Sequence, residues 1–475
     1  MKKDTVRTRV VCTIGPASAS PQVIRGMIQD GMSVSRLNMA HGSLEDHSRY
    51  IDMLRAAADE LDSPLALLLD LPGPRYRTGR LKGGEIELLF GNTLVLTTRD
   101  VVGDDKEVSV NLPTLPQDVQ AGDRILLSDG QIILVAETVS ADNVRCRVQV
   151  GGLLKDNRGL VVPGRPLSSP FVTDQTLSQL DFGIERQVDY FALSFVGGAP
   201  DVAQVRHILE QKGAAIPLVS KIERGWAVAH LDDIVAASDA VMVARGDLGV
   251  ELPLEQVPVL QKQIVKKCNR LGKPVIVATQ MLESMVQAPG PTRAEVADVA
   301  NAIFDGTDAV MLSAETSIGR YPQAATAMMR RIATQADAAL PYERLLAERG
   351  ADREPHTDDA IAFAACHTAQ QLGAAAIIAF TESGSTAFRV AKYRPKAPLL
   401  ALTSSEIVRR RLSLVWGVQA CLVGKPATVD DMFDRAGRLA KEQGLAASGD
   451  LVVITAGVPI GVTGTTNVLK VQTID

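Results

Sequence analysis

Lys221 and Glu223, two residues apart at the end of a short apolar run, form the sharpest chemical signal in the sequence. On a strand, side chains two apart face the same side, so an ammonium and a carboxylate would share one apolar-walled space. Burying two charges costs several kcal/mol unless they are paired or coordinate a metal, which leaves an ion pair and a metal centre as two readings. Asp247 shifts that balance. A second carboxylate from a neighbouring strand end supplies two oxygen ligands without enclosing an ion, the open arrangement of a Mg²⁺ that must also hold phosphate. Lys221 then stands beside the metal as a point charge. Gly246-Asp247-Leu248-Gly249 is able to open a helical turn whose amides suit a carboxylate or phosphate, although the same pattern is also a common turn. Arg36 and Arg77 are further anion-binding candidates, with a solvated surface arginine as the plainer alternative. Cys366 and His367 are neighbours on a predicted helix, where adjacent side chains do not face each other, so they form no dyad.

The elements that must position these groups are visible as an alternation. Short Val/Ile/Leu-rich runs alternate with longer amphipathic stretches, the pattern of strand-helix units around a parallel sheet. Val10 to Ile14, Ser33 to Leu37, Leu65 to Asp70, Tyr190 to Phe195, Pro217 to Lys221, Ala240 to Ala244, Pro274 to Thr279 and Ala309 to Ser313 make about eight strands, the number that closes a (β/α)8 barrel. Active sites of such barrels lie at the C-terminal strand ends. The unusual residues fall there in order: Arg36, Asn38 and His41; Asp70; Ser194; Lys221 and Glu223; Arg245-Gly246-Asp247; Thr279-Gln280; and Ser313-Ala314-Glu315.

The rhythm breaks between Asp70 and Gly164. Alternating stretches at Glu85 to Leu89, Thr93 to Thr97 and Arg124 to Leu127, with turns at Gly83-Gly84, Gly91-Asn92, Gly122-Asp123 and Asp129-Gly130, predict a small antiparallel β domain over the third strand's exit. Polar Glu343 to Asp359 reads as a connector. A second α/β series follows, with strands near Ala375 to Phe380, Leu399 to Thr403, Ala420 to Val423 and Leu451 to Thr455. The expected domains are 1–71 with 162–340, then 72–161, then 341–475.

A chain of 475 residues suits about three domains. Fifty Lys and Arg against 55 Asp and Glu give a formal charge of −5, which argues against non-specific nucleic-acid binding, so any bound anion must be held by local charge. Five scattered cysteines without a C-x-x-C pair indicate neither a disulfide framework nor a zinc knuckle and fit a reducing compartment. The charged amino terminus lacks a signal peptide's apolar core, and the apolar runs are too short to cross a bilayer. The expectation is a cytoplasmic protein with no membrane or nucleic-acid partner.

Longer stretches carry a family likeness. Thr8 to Ser18 (TRVVCTIGPAS), Gly31 to Ser43 (GMSVSRLNMAHGS), Leu218 to Glu223 (LVSKIE), Val241 to Val250 (VMVARGDLGV), Ala278 to Met285 (ATQMLESM), Pro291 to Ala297 (PTRAEVA), Asp305 to Glu315 (DGTDAVMLSAE), Val390 to Pro395 (VAKYRP) and Ala456 to Asn467 (AGVPIGVTGTTN) resemble pyruvate kinases in the right order along essentially the whole chain. The resemblance implies a TIM barrel with an inserted small β-barrel lid domain and a C-terminal α/β regulatory domain. It implies Mg²⁺- or Mn²⁺-dependent transfer of the phosphoryl group of phosphoenolpyruvate to ADP in glycolysis, by a homotetramer. On that likeness Glu223 and Asp247 hold the metal, and Lys221 and Arg36 meet the phosphoryl group. Ser194 belongs to the substrate site, Gly246 and Asp247 offer amides to the substrate carboxylate, and Thr279 joins the proton relay. Asn38, His41, Arg77 and Arg158 match positions near the nucleotide or phosphate, and Asn38, Asp70 and Arg75 mark the remnant of a monovalent-cation site. Thr381, Ser383, Gly384, Ser385 and Thr386 match an effector loop for phosphorylated sugars.

The departures from the family pattern cluster. Potassium-dependent members read N-x-S-H and D-T-K-G-P-E where this chain has Asn38-Met39-Ala40-His41 and Asp70-Leu71-Pro72-Gly73-Pro74-Arg75. Ala40 removes a hydroxyl ligand and Arg75 brings a permanent cation near Asp70, so no K⁺ requirement is expected. Ser128-Asp129-Gly130 has one acid where two are common, Arg158 stands for a usual lysine, and Arg224-Gly225-Trp226-Ala227 lacks the usual acid. Glu382 sets a carboxylate beside the effector loop, which favours a monophosphate such as AMP or a sugar monophosphate over fructose 1,6-bisphosphate. A reading from another class is a catalytically silent relative kept as a metabolite-binding or assembly protein. Retention of Lys221, Glu223, Asp247, Thr279 and Arg36 argues against it, because charges in a buried cleft are costly without a use.

Overall fold

Eight strands close into one parallel barrel in the computed structural model, which describes residues 6–460 and 464–475. Residues 1–5 of the amino-terminal stretch and 461–463 within AGVPIGVTGTTN lie outside the described residues. The barrel strands are Arg9–Thr13, Met32–Asn38, Ala66–Leu71, Tyr190–Leu193, Leu218–Ile222, Ala240–Ala244, Val275–Ala278 and Ala309–Leu312, and they follow one another around the barrel in chain order. Each begins or ends within two residues of the run seen in the sequence. They are legible because a parallel strand, covered on both faces, reads as a continuous apolar run.

The two faces of each strand separate into different cores. Val11, Val34, Ala66, Leu68, Tyr190, Ala192, Val219, Ala240, Met242, Ile276, Ala278, Ala309 and Met311 fill the interior, while Val10, Cys12, Leu37, Leu67, Leu69, Phe191, Val241 and Val310 pack outward against the helices. The period of two then dictates what stands above that packed interior. Two residues beyond Val11, Val34, Leu68, Ala192 and Val219 come Thr13, Arg36, Asp70, Ser194 and Lys221, so the inward register that packs the barrel also lifts five polar side chains into its C-terminal mouth.

The insertion leaves after the third strand and has its own core around Leu94, Leu96, Ile125, Leu134, Val144 and Cys146. It comprises a seven-stranded sheet and a two-stranded ribbon of Glu85–Leu88 with Gly152–Lys155. The sequence predicts an antiparallel domain; one pair departs from this, since Thr93–Thr97 runs parallel to Glu107–Ser109. At its root Gly73 lies so close to the next barrel strand that a Cβ there would stand 2.1 Å from the Ser194 carbonyl oxygen. Only glycine permits that approach.

The expected connector is mostly helix. Tyr342–Ala351 is a ten-residue helix whose Leu346 is buried in the C-terminal core, and Thr357–Leu372 follows. One buried anchor among so many Glu and Arg residues hides the helical period. The C-terminal sheet runs Val418–Leu422, Leu399–Thr403, Ala376–Phe380, Leu451–Gly457 and Thr466–Thr473, the last strand antiparallel at the edge. That edge strand is half exposed and reads too polar in the sequence to be recognised. Leu414 from this domain plugs the base of the barrel interior, and Arg394 pairs with Asp308 at 2.9 Å under it.

Candidate active site

Asp70 is the hub of the barrel mouth. Its Oδ2 accepts from Arg36 Nε at 2.6 Å, and its Oδ1 accepts from Ser194 Oγ at 3.1 Å and Lys221 Nζ at 3.2 Å. Lys221 Nζ also donates to Ser194 Oγ at 2.7 Å and pairs with Glu223 Oε1 at 2.9 Å. Arg36 reaches Thr13 Oγ at 3.0 Å, and Glu223 Oε2 accepts from the Phe195 amide at 2.6 Å. The side chains of Asp70 and Glu223 are 1 % exposed and those of Arg36 and Lys221 10 %, so two cations and two carboxylates share one nearly water-free cluster.

The electrostatics follow from that geometry. Burial by itself would raise the Asp70 pKa, but Lys221 and Arg36 outweigh it and hold the carboxyl below its usual range. Burial would lower the Lys221 pKa, and Asp70 and Glu223 reverse the effect and keep the ammonium charged. Glu223 goes the other way. Burial and then the nearby Asp247 raise its pKa against the pull of Lys221. Two carboxylates that repel each other in a desolvated pocket are a donor set that a hard divalent cation would relieve, so these residues fit one. Among the described residues no three His, Cys, Asp or Glu converge as a metal-holding group.

Asp247 lies in the helix Arg245–Glu251, which opens directly from the sixth strand. The Gly246 amide donates to Thr279 Oγ at 2.8 Å, and that hydroxyl donates to the Ala278 carbonyl at 2.6 Å, so an arriving carboxylate would share or displace the threonine. Thr279 and Gln280 both sit at positive φ, +69° and +55°, a conformation costly for a β-branched residue. Arg245 holds this bend by donating to the Thr279 carbonyl at 2.9 Å while pairing with Asp298 at 2.8 Å. Phe195, next to Ser194, is strained in the same way at φ +56°.

The remaining candidates are placed as follows. Asn38 accepts from the Ala40 amide at 3.2 Å and so caps its own turn; Ala40 and His41 are exposed at the rim. Arg77 is exposed and donates to the Asn157 carbonyl at 3.3 Å. Arg158 is exposed, with its backbone paired to Thr78. The expected neighbours Asp70 and Arg75 take different partners. Arg75 pairs with Asp129 of the inserted domain at 3.1 Å and with Asp247 at 3.5 Å, while Asp70, turned inward by the strand register, is saturated by Arg36, Ser194 and Lys221. Asn38, Asp70 and Arg75 therefore do not form one contact set. Glu315 is fully buried and accepts from the Leu282 and Ser313 amides at 3.0 and 2.7 Å, joining the seventh and eighth strand ends rather than facing substrate.

Sequence reasoning passed over Thr13, Phe195 and Glu251, and read Asp129 and Arg224 only as departures from a family pattern; Arg224 pairs with Glu251, each side chain 6 % exposed, and also reaches the Arg165 carbonyl at 2.6 Å. Thr13 alone had a signal, as the next inward residue after Val11.

In the C-terminal domain, Thr381, Ser383, Ser385 and Thr386 line an open cleft with Thr403, Ser404 and Thr466. Gly384 turns the loop at φ +91° into the helix Ser385–Lys392. Thr381 Oγ is buried without a partner, Glu382 accepts from Ser404 at 2.9 Å, and no Lys or Arg is among the described lining residues.

Family models agree with this architecture. The "Pyruvate kinase, barrel domain" matches residues 5–326 and the "Pyruvate kinase, alpha/beta domain" residues 359–472. The chain is 48% identical over 471 residues to a pyruvate kinase of Geobacillus stearothermophilus and 46% identical over 470 residues to one of Staphylococcus aureus, covering 98% of this chain and 80% of each relative. A crystal structure of a pyruvate kinase from Cryptosporidium parvum superposes with a TM-score of 0.95 at 36% identity, covering 100% of this chain and 98% of the other. With its barrel, its C-terminal domain and nearly its whole length matched, the chain belongs to the pyruvate kinase family.

Proposed function

We propose that this chain is an active glycolytic enzyme that transfers the phosphoryl group of phosphoenolpyruvate to ADP, yielding pyruvate and ATP, and that it needs no monovalent cation. The observation that carries the reading is the buried Arg36–Asp70–Lys221–Glu223 cluster at the barrel mouth, beside Asp247. Family membership implies a divalent metal, which we assign to Glu223 and Asp247 as Mg²⁺ or Mn²⁺. When bound, that ion supplies Lewis-acid stabilisation of phosphate and enolate oxygens.

The chain's own residues do the rest. Lys221 Nζ and the Arg36 guanidinium, pre-positioned by Asp70, would face the transferring phosphoryl group, where catalysis is mainly charge stabilisation and positioning. The phosphorus–oxygen bond to the enolate breaks, a bond to the terminal ADP oxygen forms, and the methylene carbon takes a proton. To that proton relay we assign Thr279, a reading supported by its Oγ being held at the Gly246 amide. The amides of Gly246 and Asp247 would take the substrate carboxylate, and Ser194 orients Lys221. Asn38, His41, Arg77 and Arg158 are assigned to the nucleotide under the inserted lid (72–161), with 1–71 and 162–340 as catalytic barrel and 341–475 as effector domain.

Independence from K⁺ is supported by Arg36 and Lys221 meeting the Asp70 charge, by the methyl group of Ala40, and by the permanent cation that Arg75 brings to Asp247. The hydroxyl-lined cleft at Thr381–Thr386 is read as an effector site for a monophosphate. A cytoplasmic homotetramer completes the reading, for which light scattering is the direct test; no helix of the described residues is long and apolar enough to cross a membrane. A lactate-dehydrogenase-coupled assay with phosphoenolpyruvate, ADP and Mg²⁺ tests the activity. A folded protein without turnover would favour the silent, metabolite-binding alternative.

A further inference from the structure

Arg75 joins the inserted domain to the metal-binding carboxylates. Its guanidinium lies against Asp247 on one side at 3.5 Å and Asp129 on the other at 3.1 Å, and its charge sits 5.5 Å from the ring centroid of Phe195, whose amide holds Glu223. The fourth wall is Gly159 of the insertion. A Cβ at that position would stand 2.6 Å from Arg75 Nη2, so a larger residue there would have to push the guanidinium aside. Arg75 Nε is buried there without a partner, and the side chain as a whole is 21 % exposed. The fork is therefore fixed by its surroundings, with two carboxylates as its charged partners.

We propose that Arg75 is a positioning residue that sets the divalent-cation affinity of the Glu223–Asp247 pair and makes that affinity depend on the lid. The inference rests on the assignment of the cation to those two carboxylates. Arg75 offsets the negative charge of Asp247 and competes for one of its oxygens, so it opposes cation binding. Asp129 draws the guanidinium the other way. Where the lid brings Asp129 close, Arg75 is shared and Asp247 is freer to bind; without Asp129, the arginine has Asp247 as its one ion-pair partner. A fixed positive charge near a dication repels it, and in a partly desolvated cleft the effect is far larger than in bulk water.

The test is Mn²⁺ binding to the full-length, substrate-free protein, followed by the electron paramagnetic resonance of free Mn²⁺ in tetramethylammonium buffer. Arg75→Met should tighten the Mn²⁺ Kd at least about fivefold. Arg75→Lys, which keeps the charge, should stay within about twofold of the parent. Asp129→Asn should weaken binding about two- to threefold, a small effect because Asp129 is 72 % exposed and its ion pair is well screened. An Arg75→Met affinity equal to or weaker than the parent overturns the proposal, as does Arg75→Lys matching Arg75→Met. Should Arg75→Met lose its cooperative melt, Asp129→Asn decides alone, and an unchanged Kd there overturns the link to the lid. Glu223→Gln and Asp247→Asn separate the two levels. If both retain Mn²⁺ binding, the cation assignment itself fails; if both lose it while Arg75→Met is unchanged, only the role of Arg75 fails.

Discussion

The barrel mouth and the cleft of the C-terminal domain are both built where parallel strands end, yet they are furnished in opposite ways. At the mouth, Arg36, Asp70, Lys221 and Glu223 are buried and their charges are matched across three ion pairs. In the C-terminal cleft the described lining offers hydroxyls and the single carboxylate Glu382. A charged cluster is expensive to bury and gains from being rigid, which suits a site that must stabilise charge developing in a transition state. Hydroxyls at a helix start cost little to leave solvated and suit a ligand that comes and goes. Strand-end geometry thus provides the location, while the cost of desolvation decides what task the location performs.

Lys221 is where the mouth's task is most exposed to test. Lys221→Met should lower the turnover number by about a thousandfold or more while the cooperative melt survives, because the ammonium acts on charge present chiefly in the transition state. A rate within about tenfold of the parent, equivalent to about 1.4 kcal/mol, would remove the mouth's claim to be the reacting centre.

Asp70 tests the cost of the cluster. Asp70→Asn leaves Arg36 and Lys221 without their shared carboxylate and should cost about 3–5 kcal/mol in urea unfolding. The sign with pH is determined by its depressed pKa. A carboxyl held below its unfolded value, about 3.9, contributes stability that is fully present above that value and is lost as pH falls through the folded pKa. The stability gap between parent and variant should therefore be level from about pH 8 to pH 5 and shrink only below about pH 4. A gap that closes near neutrality would contradict the ion-pair account.

A smaller effect separates Arg75 from a monovalent ion. Assays in tetramethylammonium or Tris salts, free of K⁺ and Na⁺, should run at nearly full rate, and Arg75→Glu should create a dependence on added K⁺. Strong activation of the parent by K⁺ would count against the reading.

The smallest change is expected at the C-terminal cleft. AMP or a sugar monophosphate should lower the half-saturating phosphoenolpyruvate concentration severalfold, whereas fructose 1,6-bisphosphate should have little effect, because Glu382 repels and no cation stands among the described lining residues to compensate. A large bisphosphate response that disappears in Ser383→Asp would overturn this and make the two regions more alike than their linings suggest.

Much of the molecule was determined by local sequence. The eight barrel strands and most of the C-terminal sheet are apolar runs whose burial on both faces leaves them no other reading. The inward register then turns Arg36, Asp70, Ser194 and Lys221 into one mouth, and their residue types announce the chemistry. What lay beyond the sequence is the pairing. Nothing in the chain's text says that Arg75 meets Asp247 and Asp129 rather than Asp70, that Thr279 occupies the Gly246 amide, or that Glu315 is a strut. The edge strand Thr466–Thr473 and the helix Tyr342–Ala351 also escaped, since each buries too little to print a period. Patterns of burial repeat every two or four residues and so are written locally, whereas a contact such as Arg75 with Asp247 joins residues far apart in the chain and exists only once the barrel has closed and the inserted domain has come to rest on it.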